Sequence, residues 1–107
     1  MAVEYLKVDS PEALLKASET PLLIEFSSFD CPPCLLMEPE LCAYAKDSAP
    51  VRVVTVNVDS CPAAAAHFGV RITPALAVLY RKKVLAMRYG AMRQSEIAEF
   101  VRAALEN

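Results

Sequence analysis

Residues 22–34 read LLIEFSSFDCPPC. The segment opens on large apolar residues of the kind that fill a central strand, interrupted by one acid, Glu25. It closes on Cys31-Pro32-Pro33-Cys34, where a helix begins that runs to about Lys46. A buried strand feeding a helix places the two cysteines at the helix N-terminus. Unpaired N–H groups and the macrodipole favour a thiolate there. Cys31 lies at that end and is the expected nucleophile. Cys34 lies one turn further in and is the expected resolving thiol, closing a disulfide by attack on a mixed intermediate. Zinc sites use the same spacing, but a structural zinc needs four ligands. The other candidates, Cys42, Cys61 and His67, are scattered singly. No metal and no bound cofactor are expected.

An acid inside a central strand is costly unless it is neutral or paired. Two readings of Glu25 stand. It faces solvent on an alternating strand, or it is a buried carboxyl with a raised pKa, placed to exchange protons with Cys34.

Outward from this segment, strands are expected at about 3–8, 22–28 and Val51–Val58, the last rich in Val and Thr. Ser10-Pro11-Glu12 starts a helix to about Ser18, with a capping hydroxyl, a proline and an acid in its first turn. Pro39 should kink the helix that follows Cys31. A short helix covers 61–68. Ala75–Tyr80 and Val84–Tyr89 are strands separated only by Arg81-Lys82-Lys83, so they form an antiparallel hairpin. The last helix, about 94–106, puts Ile97, Val101, Ala104 and Leu105 on one face. The order β-α-β-α-β-α-β-β-α implies an α/β fold with parallel crossovers, a mixed sheet and helices on both faces.

The 107 residues are expected to form a single domain, 1–107. With 55% apolar and 22% charged residues the chain has the makings of a core, which excludes disorder. A net charge of −2 excludes a nucleic-acid binder working through a broad basic patch. No apolar run approaches the roughly 18 residues of a membrane span, so no membrane partner is expected. The opening MAVEYLKVDS lacks a basic region followed by an apolar one and does not read as a secretory leader. Taken as a whole chain, the protein is expected in the cytoplasm. Cysteines there are more often catalytic, metal-binding or simply buried than structurally bridged.

Together these residues resemble the thioredoxin family over nearly the whole chain. The family pattern W-C-G-P-C is matched in position by Asp30-Cys31-Pro32-Pro33-Cys34. Its buried acid, six residues before the first Cys, is matched by Glu25 in place of the usual Asp. Pro39 matches its helix proline, Asn57-Val58-Asp59 the end of its third strand, and Gly90 its closing glycine. His67-Phe68-Gly69-Val70-Arg71, then Ile72-Thr73-Pro74, match the segment leading to its cis-proline. The resemblance implies the thioredoxin fold and a cis Pro74. It also implies a thiol–disulfide oxidoreductase that reduces protein disulfides through Cys31 and Cys34 and is reset by a recycling reductase. Substrate polypeptides would lie beside Cys31, with backbone hydrogen bonds from Thr73 and a docking surface of Val58, Tyr89 and Gly90.

Departures from the pattern matter as much. The chain has no Trp; Asp30 and Ser27 stand at its two familiar positions, which removes apolar docking surface. Recognition by a standard thioredoxin reductase is left open by this. Asp30 disfavours a neighbouring thiolate, and Pro32 and Pro33 lack N–H groups that would stabilise one. Both point to a reductant. Thr73 before the cis-proline is shared with oxidase and isomerase relatives, so an oxidase or isomerase of an oxidising compartment is the alternative, and a thioredoxin-fold adaptor is another. Thr55 replaces a Lys near the buried acid, leaving proton exchange to Glu25 and water. Arg81-Lys82 replaces an Asn-Gly turn. Cys42 is expected as a small buried hydrophobe. Cys61 opens a helix after Asp59-Ser60, where the dipole would make it reactive and a candidate regulatory thiol. A Cys42–Cys61 disulfide is not expected, because their helices should cover opposite faces. His67 is expected as an exposed helix residue.

Overall fold

A computed structural model describes residues 2–106. Its elements are β1 (Val3–Tyr5), α1 (Pro11–Ala17), β2 (Leu22–Ser27), α2 (Pro32–Lys46), β3 (Arg52–Asn57), α3 (Pro62–His67), β4 (Ala75–Tyr80), β5 (Lys83–Tyr89) and α4 (Gln94–Glu106). The order is the one expected. Pro11, Pro32 and Pro62 each open a helix, where a missing N–H costs nothing and φ is already helical. Ser10 caps α1 by position only, since its hydroxyl makes no cap hydrogen bond. Pro39 does not end α2. It has no N–H for the Leu35 carbonyl, and both residues are exposed, so the freed carbonyl lies on the solvent side.

The five strands run β1-β3-β2-β4-β5. β1 and β2 pair parallel to β3, while β4 pairs antiparallel to both β2 and β5. The sheet is therefore mixed. Strand alternation divides the core in two. Leu22, Ile24, Phe26, Val54, Val56, Ala75, Ala77 and Leu79 pack with Leu14 of α1 and Ala64 and Ala65 of α3. Leu23, Val53, Leu76 and Val78 pack with Met37 and Leu41 of α2 and Ile97 and Val101 of α4. Leu105, expected on the buried face of α4, is only partly buried at its edge.

β1 is shorter than the expected 3–8, because the chain leaves the sheet to bring Asp9 over α3. There the Asp9 carboxylate accepts from the N–H groups of Ala63 and Ala64 at 3.2 and 2.9 Å. The hairpin loop is two residues, not three, with Tyr80 paired to Lys83. Arg81 and Lys82 both have positive φ, 49° and 66°. That is the twist a two-residue hairpin wants, usually met with Asn-Gly. Here α1 holds it in place. The fully buried Ser18 accepts from the N–H of Arg81 on its carbonyl (2.7 Å) and from that of Lys82 on its hydroxyl (2.9 Å). Two peptide bonds are cis, Thr73–Pro74 and Ala49–Pro50. The second had no counterpart in the sequence reading.

Candidate active site

Cys31 and Cys34 form a disulfide, with Cα atoms 5.3 Å apart. Cys31 is the N-cap of α2, and Pro32 and Pro33 fill the first two helical positions. Neither proline offers an N–H. The first available N–H of the helix is that of Cys34, and it donates to Cys31 Sγ at 3.3 Å. A second donor reaches the same sulfur: the hydroxyl of Thr73, at 3.6 Å. Thr73 Oγ1 is itself 2.6 Å from Ser28 Oγ. The two cysteines are almost equally shielded, at 7% and 5% exposure. Accessibility therefore does not distinguish the two sulfurs, whereas two hydrogen-bond donors converge on Cys31 Sγ.

Behind the disulfide lies Glu25, 5% exposed. The solvent-facing reading is thereby set aside. β2 carries Glu25 on the α2 side of the sheet, and parallel pairing makes Thr55 its direct partner on β3. The Thr55 hydroxyl donates to Glu25 Oε1 at 3.0 Å. Burial pushes the Glu25 carboxyl up to about 6; the Thr55 hydrogen bond pulls down, and the Glu38 carboxylate adds a smaller push upward. The sequence reading left Glu25 with water alone and missed Thr55 as its partner. A cavity of about 310 Å³ opens beside the disulfide and is bordered by Glu25, Thr55, Cys34, Tyr5, Glu38 and Cys42 among others. Glu25 and Cys34 thus face one solvent-accessible space.

The loop ahead of Cys31 is held from the turn that follows β3. Asp59 accepts from the Phe29 N–H at 2.9 Å, and Asp30 takes a positive φ of 52°. Phe29, Leu35 and Ile72 are well exposed around the disulfide, at 67%, 68% and 61%. They supply apolar surface that the missing Trp had seemed to remove, and sequence reasoning had not singled them out. Val58 is partly buried, and its N–H donates to the Ser27 carbonyl at 2.7 Å. Tyr89 is exposed, and the Gly90 N–H donates to the Pro74 carbonyl at 2.9 Å, with Gly90 at φ 98°. Pro74 is buried and Thr73 partly so.

The sequence model of the thioredoxin family matches residues 2–103. The chain belongs to the thioredoxin family. It is 34% identical over 91 residues to a thioredoxin of Haemophilus influenzae, covering 84% of this chain and 85% of that one. A Streptomyces clavuligerus thioredoxin is 35% identical over 83 residues, covering 78% of each. The fold is shared with a thioredoxin from Nicotiana alata (TM-score 0.86, 23% identity, 96% of this chain and 92% of that one). Spinach chloroplast thioredoxin f superposes similarly (TM-score 0.85, 22% identity, 97% and 94%). With its Cys31–Cys34 disulfide, this member of the thioredoxin family is a thiol–disulfide oxidoreductase.

Two cysteine expectations need correction. Cys42 is exposed rather than buried, on the wall of the active-site cavity. Cys61 is buried at 2% exposure, and burial together with the Asp9 carboxylate pushes its thiol up. The dipole argument failed there because Asp9, not the thiol, takes the first free N–H groups of α3. Cys42 and Cys61 lie on opposite sides of the sheet, and His67 is exposed.

Proposed function

We propose that the chain acts as one domain that reduces disulfides in protein substrates, with Cys31 as the attacking thiolate and Cys34 as the resolving thiol. The observation that carries this is the convergence of two hydrogen-bond donors on Cys31 Sγ, while Cys34 shares a cavity with Glu25. Thiolate Cys31 attacks one sulfur of a substrate disulfide and the other sulfur leaves as a thiolate. Cys34 gives its proton to the Glu25 carboxylate through water and attacks Cys31 Sγ. The Cys31–Cys34 disulfide forms and the second substrate sulfur is released, so the substrate gains two electrons and the protein loses two. A pKa of about 6 leaves Glu25 mostly ionised at neutral pH, ready to accept that proton.

Phe29, Leu35 and Ile72, with Val58, Thr73, Tyr89 and Gly90, form the docking surface in this reading. A recycling reductase resets the disulfide. Because its docking face differs from a Trp-bearing one, a standard thioredoxin reductase is not assumed to serve. Two unpaired cysteines, Cys42 and Cys61, favour a reducing compartment and hence the cytoplasm. Among the described residues no helix is long and apolar enough to cross a membrane. The test is reduction of insulin by the dithiothreitol-reset protein. Cys31→Ser should abolish it, and Cys34→Ser should accumulate a mixed disulfide on Cys31. A Cys31→Ser variant with undiminished turnover would overturn the assignment.

A further inference from the structure

We propose that Ser28 is a positioning residue that sets the ionisation and potential of Cys31 through Thr73; the proposal rests on Cys31 being the attacking thiol. The antiparallel β2–β4 register places Phe26 opposite Ala75, and continued two pairs outward it brings Ser28 opposite Thr73. Their hydroxyl oxygens are 2.6 Å apart, and Thr73 Oγ1 lies 3.6 Å from Cys31 Sγ. A hydroxyl has one proton to donate. Thr73 spends its proton on the sulfur, so the short contact has Ser28 as donor. Ser28 thereby fixes the Thr73 rotor and polarises its O–H toward the sulfur, and hydrogen bonds in such a chain strengthen one another. Both residues are only partly exposed, which limits competition from water.

The relay matters more to the thiolate than to the disulfide. A hydrogen bond to an ionised acceptor is roughly twice as strong as one to a neutral acceptor. The Ser28–Thr73 pair therefore stabilises reduced Cys31, lowers its pKa and makes the couple more oxidising. It opposes Asp30 and the two prolines, and the donors they withhold from the first helical turn are partly replaced from across the sheet.

The test uses the full chain and four variants: Ser28→Ala, Thr73→Val, Thr73→Ser and the Ser28→Ala/Thr73→Val double. The reduced proteins are alkylated with iodoacetamide across pH, with the modified cysteine identified by peptide mass, and each is equilibrated with glutathione redox buffers. Thr73→Val should raise the pH of half-maximal Cys31 alkylation by about one unit, a tenfold loss of thiolate stabilisation, and shift the redox equilibrium toward the reductant side by up to tenfold, about 30 mV. Ser28→Ala should move both in the same direction by about threefold. Thr73→Ser should stay close to the parent. In the Thr73→Val background, Ser28→Ala should do nothing further. An unchanged Ser28→Ala variant, or one whose effect is undiminished without the Thr73 hydroxyl, overturns the relay while leaving Cys31 as nucleophile. Alkylation falling first on Cys34 overturns the nucleophile assignment itself, and the relay with it.

Discussion

Thr55 donates its hydroxyl to Oε1 of Glu25 at 3.0 Å, across a parallel register in which the two residues are direct partners. The hydrogen bond favours the ionised carboxylate, against the burial that disfavours it. Replacing Thr55 with Val keeps the shape and removes the donor. The Glu25 pKa should then rise above about 6, and the acid limb of the resolving step should move to higher pH with it. Carboxyl-resolved NMR titration reads the first, and the pH profile of insulin reduction the second. An unmoved pKa would contradict the balance drawn here.

The raised pKa of Glu25 also makes stability depend on pH. In the range between about 4.5 and about 6 the folded oxidised protein holds a proton that the unfolded chain has released. Stability therefore falls as pH rises through that window, by about 2 kcal/mol in all, and this group contributes no further change above it. Glu25→Gln should abolish that slope and be the more stable protein at pH 7–8, yet slower in releasing substrate from the mixed disulfide. Urea unfolding at several pH values, paired with single-turnover kinetics, checks both. A variant less stable than the parent at pH 8 would refute the burial cost.

Asp9 caps α3 from outside the helix and keeps a negative charge near Cys61. Asp9→Asn retains one acceptor and drops the charge. It should cost about 1 kcal/mol of stability and bring the Cys61 thiol down toward its ordinary value. Denaturant unfolding and the pH dependence of Cys61 labelling measure the two effects. A Cys61 that reacts as readily in the parent as in the variant would restore the regulatory reading.

The β4–β5 turn places two non-glycine residues in the left-handed region, which costs roughly 1–2 kcal/mol each. Arg81→Asn with Lys82→Gly should raise the stability by about 1 kcal/mol, after loss of the Arg81 contact over the Tyr80 ring. Ser18→Ala should lower it by about 1 kcal/mol, because the N–H of Lys82 loses the Ser18 hydroxyl that accepts it. Thermal or urea midpoints decide both.

What could be read in the chain beforehand follows from how local each signal is. Val-rich and alternating runs, helix-opening prolines and the two cysteines three apart are local, and they were enough for the element order and for placing Cys31, Cys34 and Glu25. Pairings across the sheet are not local. Thr55 seemed only a missing lysine until the register put it against Glu25, and Ser28 and Thr73 carry no mark that they meet. Cys61 shows the same limit from the other side. Its place at a helix start was visible, but the competitor for the helix N–H groups, Asp9, comes from more than fifty residues earlier in the chain. Cys42 was misplaced because the buried positions of α2, Cys34, Met37, Leu41 and Ala45, recur every three or four residues and leave residue 42 just off that face. Phe29 and Leu35 were overlooked as docking surface because exposure of an apolar side chain is visible only once its neighbours are placed.

The most direct test of the account is a redox titration of the full chain against thiol–disulfide buffers, with alkylation and mass readout of all four cysteines. One two-electron couple is expected, formed by Cys31 and Cys34 alone, at or below about −270 mV, with Cys42 and Cys61 unpaired throughout. A potential above roughly −200 mV would place the protein among oxidases and isomerases. Failure of Cys31 and Cys34 to pair at all would contradict the reductant mechanism outright.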